Sequence, residues 1–170
     1  MQRAFLTAVI GMVLTAAGAL QALADSSDAS HPAAQAIIQF NQSVTNRDMD
    51  TAIGLLAEGG VQYQIQPAHP GMPEDQPLTA DMPTMWKTVA AILFPTTDSY
   101  ERQVEITDVR VEGELATVWT QTKTITHRKG KEKAMVLEFS EVYFLVNKND
   151  TGWLIAGNAS NRPIDDIPVG

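Results

Sequence analysis

The chain has 170 residues, 44% of them hydrophobic and 19% charged, with 12 Lys and Arg against 20 Asp and Glu for a formal charge of −8. That is the composition of one globular domain with room for a sizeable core, and its acidic balance argues against nucleic acid or anionic membrane as a partner. Cysteine is absent, which excludes disulfides, thiol nucleophiles and thiolate metal sites.

The first 24 residues read as a Sec signal peptide. Arg3 gives a short positive start, Ala4–Leu20 is an uncharged, mostly apolar run, and Ala22-Leu23-Ala24 is a small-x-small cleavage site. Cleavage after Ala24 predicts a periplasmic or secreted protein starting at Asp25, with no membrane contact afterwards. An uncleaved anchor is the alternative, because 17 residues lie near the lower limit for spanning a bilayer. Removing Arg3 leaves 11 basic against 20 acidic residues, a formal charge of −9. Residues 25–30 form a polar linker, 31–163 the folded domain, and 164–170 a C-terminal tail.

Ala33, Ile37, Phe40 and Val44 recur at helical spacing and predict a helix from Pro32 to Asn46, with Ser30 as its N-cap. Asp48 caps a short second helix, Met49–Ala57, which Gly59-Gly60 stops. Val61–Gln66 alternates strictly, predicting a half-buried strand with Val61, Tyr63 and Ile65 inward. Four prolines make Pro67–Pro77 a loop. Thr79 or Asp81 then caps a third helix striped with Met82, Met85, Trp86, Val89, Ile92 and Leu93, and Pro95 ends it.

From Tyr100 to Ser160 the chain reads as four β-segments joined by turns at Glu112-Gly113-Glu114, Arg128–Lys131 and Asn147–Gly152. Short connections make this an antiparallel meander. The Arg128, Lys129, Lys131 and Lys133 cluster sits at a hairpin tip and reads as a solvated turn. Which residues share a face depends on the length of that middle loop, because a slip of one residue swaps faces. A three-residue loop, Arg128-Lys129-Gly130, puts Leu115, Thr117, Trp119, Gln121, Lys123 and Ile125 with Met135, Leu137, Phe139, Glu141 and Tyr143. A two-residue loop mixes bulky and small residues on both faces. The first register is preferred, with the bulky face toward the helices. Val142, Phe144 and Val146, alongside Ala116 and Val118, then form an apolar patch on the opposite face, which predicts a homodimer.

Two helices, a strand, a third helix and a four-stranded meander resemble the nuclear transport factor 2-like superfamily, and its SnoaL-like branch in particular. The resemblance is carried by Asn46-Arg47-Asp48-Met49-Asp50, by Gly152-Trp153-Leu154-Ile155 and by Ala159-Ser160-Asn161-Arg162-Pro163. It implies an α+β, cone-shaped fold in which three N-terminal helices pack on a strongly curved antiparallel sheet around a deep apolar pocket. Members of that superfamily often have a second strand after the first, where this chain has its proline-rich stretch. Isomerases, dehydratases and many non-enzymes share the fold, so the resemblance carries no catalytic residue onto this chain.

No nucleophile motif, phosphate-binding loop or metal-ligand spacing is present in the sequence, and nothing in it calls for a cofactor. The preferred register makes Thr117, Gln121, Lys123, Glu141 and Tyr143 the polar residues of the helix-facing side. Tyr63, Trp86 and Trp119 are candidates for the apolar wall. A carboxylate flanked by Phe139 and Tyr143 is desolvated, a setting suited to general acid–base work; a structural pair of Glu141 with Lys123 or Gln121 is the plainer reading. Candidate pocket-lining residues are therefore Tyr63, Trp86, Trp119, Gln121, Lys123, Glu141 and Tyr143. Two functions follow: an exported protein that binds a small apolar molecule or serves as an accessory domain, or a lyase or isomerase using the pocket carboxylate.

Overall fold

The computed structural model describes residues 29–65, 78–148 and 152–163. The predicted signal peptide, most of the predicted linker, the Pro67–Pro77 stretch and the predicted C-terminal tail lie outside the described residues. The elements are α1 (Pro32–Thr45), α2 (Met49–Gly54), β1 (Leu56–Gln64), β2 (Leu78–Asp81), α3 (Met82–Thr96), β3 (Thr97–Glu112), β4 (Leu115–Arg128), β5 (Met135–Val146) and β6 (Leu154–Ser160). Six strands form one sheet in the order β2-β1-β6-β5-β4-β3.

Each helix starts where a side chain satisfies an orphan backbone donor. His31, rather than Ser30, caps α1 by accepting from the Ala33 N–H at 3.1 Å. Asp48 accepts from Thr51 and caps α2, and Asp81 accepts from the Thr84 N–H at 2.9 Å and caps α3. Between α1 and α2, Arg47 has φ 61°, a left-handed conformation that a non-glycine residue adopts only at a cost. Its guanidinium offsets that cost by donating to the carbonyls of Phe94, Thr97 and Asp98, which ties the α1–α2 corner to the end of α3.

The second helix ends at Gly54, three residues before the predicted stop, and Leu56 already belongs to β1. Gly59-Gly60 serves a bulge instead. Gly59 has φ 72°, and a Cβ on Gly60 would lie 3.0 Å from the Ala57 carbonyl and 3.2 Å from that of Ile155. Beyond the bulge β1 runs parallel to β6, with Gln62 opposite Asn158 and Gln64 opposite Ser160, so the sheet is mixed rather than wholly antiparallel. This pairing also inverts the expected face: Gln62 is buried, while Val61 and Tyr63 are exposed. A short second strand does follow, beyond the proline-rich stretch, as β2 pairing antiparallel with β1.

The sheet curls. Helix α3 touches both β1 and β3, which lie four places apart in the strand order. In a flat sheet those strands would be roughly 19 Å apart, yet Gln62 of β1 and Tyr100 and Arg102 of β3 line one cavity beneath that helix. Register shifts in β3 and between β5 and β6 supply local bends. The core fills the deep end between α1 and the sheet, with Ile37, Phe40 and Val44 against Val118, Tyr143, Leu145 and Ile155. The architecture is α+β, with three helices packed on a curved sheet.

The β4–β5 register departs from the three-residue-loop expectation. Thr120 pairs with Glu141, Thr122 with Phe139 and Thr126 with Met135. Gly130 does take positive φ, but β4 runs on to Arg128 against β3 after β5 has ended, and the Lys129 N–H donates to the Thr96 carbonyl. The pairing therefore has the opposite parity. Ala116, Val118, Thr120, Thr122, Thr124 and Thr126 face the helices together with Phe139, Glu141, Tyr143 and Leu145.

Candidate functional site

Inward positions on β3 fall at Tyr100, Arg102, Val104 and Ile106, opposite Thr126, Thr124, Thr122 and Thr120 of β4. The threonine column is short and β-branched, so it leaves room for the Arg102 side chain to cross over β4 and reach β5. There Arg102 Nη2 donates to Glu141 Oε2 at 2.7 Å. The same oxygen accepts from Thr122 Oγ1 at 2.7 Å and from the Tyr143 hydroxyl at 2.9 Å. Arg102 Nε donates to Asn41 Oδ1 at 2.6 Å, and Asn41 Nδ2 is anchored on the Ile37 carbonyl of α1. The guanidinium lies over two rings, 5.4 Å from the centroid of Trp86 and 5.9 Å from that of Phe139.

Burial acts first on the Arg102 guanidinium and on the Tyr143 phenol. It disfavours the Arg102 charge, but the Glu141 carboxylate and the phenols of Tyr100 and Tyr143 outweigh that, and the guanidinium pKa rises above its usual range. Burial pushes the Tyr143 phenol up, Glu141 adds to the shift, and Arg102 pulls the other way. Arg102 and Glu141 are thus a desolvated ion pair whose remaining hydrogen-bonding capacity is largely filled, the condition under which such a pair is tolerated.

This network is the floor of a cavity of about 490 Å³ between α3 and the inner face of the sheet. Met85, Trp86, Val89 and Leu93 of α3 form one wall and Phe139 part of the other, while Gln62, Arg102 and Glu141 lie at depth. Ile92, Thr96 and Arg128 mark the rim. Among the described residues no cluster of three metal-ligating side chains occurs.

The same overall fold occurs in known structures. The chain superimposes on a ketosteroid isomerase-like protein from Erwinia carotovora atroseptica with a TM-score of 0.60 at 17% identity, over 79% of this chain and 96% of that one. It matches a nuclear transport factor 2-like protein of unknown function from Shewanella baltica at TM-score 0.56 and 8% identity, covering 79% and 93% of the two chains. This is the nuclear transport factor 2-like fold. A putative scytalone dehydratase from Novosphingobium aromaticivorans also shares it, at TM-score 0.58 and 11% identity, over 76% of this chain and 80% of that one. No protein-family model and no curated protein sequence matches the chain.

Within this nuclear transport factor 2-like frame, the seven candidates taken from the sequence separate. Trp86 and Glu141 line the cavity, and Tyr143 lies just beneath it, bound to Glu141. Tyr63 and Trp119 sit on the outer face at 44% and 46% exposure. Gln121 is also outside, hydrogen-bonded to Ser140. Lys123 pairs with Glu138 on that same face, at 3.0 Å. The physical reason is the parity of the β4–β5 ladder, together with the parallel β1–β6 pairing that turns Tyr63 outward. Arg102 was not a candidate, although β3 signals it. The strand alternates Tyr100, Val104 and Ile106 against Glu101, Gln103 and Glu105, and Arg102 falls on the apolar phase. An arginine there requires a buried partner.

Proposed function

We propose that the mature chain is an exported pocket protein that binds a small molecule in the cavity beneath α3. The observation that carries this reading is the cavity itself, about 490 Å³ over a hydrogen-bonded floor. That volume lies in the range of small-molecule sites, and the mixture of apolar walls with a few fixed polar groups is their usual lining. Empty space costs stability, because its walls lose packing contacts. A chain under pressure for stability alone would fill the space, so its retention supports an occupant. Export by cleavage after Ala24 belongs to the same proposal, on the strength of the N-terminal pattern. So does pairing through the outer face, where exposed aromatic residues cluster.

The test is native mass spectrometry of protein drawn from the compartment in which it normally resides. The wild type is expected to carry a small-molecule mass that a Leu93→Trp variant, with its cavity filled, lacks. Bare protein in both cases would count against the reading. N-terminal sequencing of the same sample should begin at Asp25, and a start at Met1 would remove export from the proposal.

Acid–base chemistry on Glu141, as a lyase or isomerase, is the second reading. It is favoured by the placement of that carboxylate on the cavity surface beside Tyr143. Three short hydrogen bonds converge on Oε2, so the group is held more as a structural acceptor than as a mobile base. Binding without established chemistry is therefore the better supported of the two.

A further inference from the structure

We propose that the cavity takes an amphipathic anion: a small organic acid whose uncharged polar end lies against Trp86 and Gln62 and whose carboxylate faces Arg128. This rests on the pocket reading and names the class of molecule that the pocket holds.

The deep end supplies the first observation. Trp86 Nε1 and Gln62 Oε1 are buried polar atoms without a hydrogen-bond partner among the described residues. Both side chains are 7% exposed, and both line the cavity. An indole N–H only donates and an amide oxygen only accepts. Leaving either unpaired in a water-poor site forfeits its solvation with nothing in return. Neither atom is open to water, so a ligand hydroxyl meets both needs once the two side chains turn toward it, accepting from the indole and donating to the amide oxygen.

The rim supplies the second. Arg128 ends β4 beyond the last β5 pairing, lines the cavity, and forms no ion pair among the described residues. The one carboxylate among the described lining residues, Glu141, is already bound to Arg102. Arg162 also lines the cavity but has interactions of its own, and is not counted. In a chain of net charge −8, an uncompensated arginine at the mouth of a low-dielectric cleft focuses positive potential there. Between the two ends, Met85, Val89, Leu93 and Phe139 provide the apolar walls. A purely apolar occupant would leave Trp86 and Gln62 unpaired and make no use of Arg128, so the class narrows from apolar to amphipathic.

Three probes of one shape separate the possibilities by calorimetric titration into the purified protein: 6-hydroxy-2-naphthoate, its methyl ester, and 2-methylnaphthalene. The acid is expected to bind about tenfold more tightly than the ester, the scale of one charge-assisted hydrogen bond. Arg128→Met should bring the acid down to the ester's affinity and leave the ester unchanged. Trp86→Phe should weaken acid and ester alike and leave 2-methylnaphthalene unaffected. Equal binding of acid and ester to the wild type, or equal weakening of both by Arg128→Met, overturns the inference. If the ester and 2-methylnaphthalene bind and Leu93→Trp expels them, while the acid has no advantage, the pocket reading stands and the anion is wrong. If none of the three binds, both readings fall together.

Discussion

Arg102–Glu141 and Lys123–Glu138 are two ion pairs on opposite faces of the same sheet, with N···O distances of 2.7 and 3.0 Å. Their side chains are 4% and 6% exposed in the inner pair, and 42% and 69% exposed in the outer one. Two contacts of nearly equal length therefore have unequal consequences. The inner charges have lost their water and depend on each other, whereas the outer ones keep it. The faces around them are inverted relative to the usual pattern. Threonines, Asn158, Ser160 and Gln62 are buried inside, while Tyr63, Trp119 and Phe144 are exposed outside. A sheet that lines a cavity needs room on its hollow side: the threonine column supplies it beside the inward Tyr100, Phe139 and Tyr143, while Tyr63, Trp119 and Phe144 stand on the other face.

The sharpest way to break the comparison is to unpair the inner charges. Arg102→Met leaves Glu141 buried with hydroxyl donors and no cation, and should cost about 3–5 kcal/mol of unfolding free energy. Adding Glu141→Leu removes the stranded charge, so the double variant should be less destabilised than the sum of the singles. Urea denaturation measures both. Additive losses would mean that the two groups do not act as a pair.

Tyr143 gives the next largest effect, through pH. Its phenol pKa is raised, by burial first and then by Glu141. Below about pH 10 a tyrosine is neutral in the folded and unfolded chain alike, and this group contributes no pH dependence. Above that point the unfolded chain releases the proton while the folded chain keeps it. The unfolded state then binds fewer protons, and stability falls as pH rises, by up to about 1.4 kcal/mol per pH unit. Tyr143→Phe should remove that slope. A wild type and variant with parallel stability curves between pH 9 and about 11.5 would show that the phenol is not shielded.

The outer aromatic patch is the third target. One row runs Tyr63–Ala159–Val142–Trp119 across four strands, and the next runs Val61–Gly157–Phe144–Thr117. A Cβ on Gly157 would lie 3.4 Å from the Phe144 ring, so the ring lies over the glycine. Ala116 and Val118, expected from sequence to join the patch, are instead buried inside. If copies pair through this face, Phe144→Lys should weaken the dimer by at least about tenfold, or 1.4 kcal/mol. Sedimentation showing the wild type as monomer at micromolar concentration would dispose of the pairing.

Helix periodicity, the caps of α2 and α3 and the turn signals were legible because each depends on residues close together in sequence. Asp48 and Asp81 cap where the pattern places them. The meander was legible for the same reason. Facing was not: alternation in β4 separates Trp119 and Gln121 from Thr120 and Thr122, but it does not say which set turns inward. The size rule, bulky residues toward the helices, holds for Phe139, Glu141 and Tyr143 of β5 but fails for β4, because the helices cover a cavity as well as a core. The pairing of the inner ion pair was hidden for a related cause, although β3 placed Arg102 on its apolar phase. Glu141 drew attention by its aromatic neighbours in sequence, whereas Arg102 lies two strands away and meets it only across the threonine column.

The smallest effect decides that question of facing directly. Under the three-residue-loop register Lys123 would be inside with Glu141, and Lys123→Met would strand a buried carboxylate, at several kcal/mol. In the fold described here Lys123 stands opposite Glu138 on the outer face. Removing its charge there forfeits a solvated pair whose attraction is offset by hydration and by the entropy of holding two long side chains. The expected loss is about 0–1 kcal/mol, shrinking further in high salt because the charges are exposed to screening. Arg102→Met should show no comparable relief from salt, since its partner is out of reach of ions. Urea titrations of the two variants at low and high ionic strength make the comparison. A loss of several kcal/mol for Lys123→Met, unmoved by salt, would place that lysine inside and reverse the parity of the β4–β5 ladder.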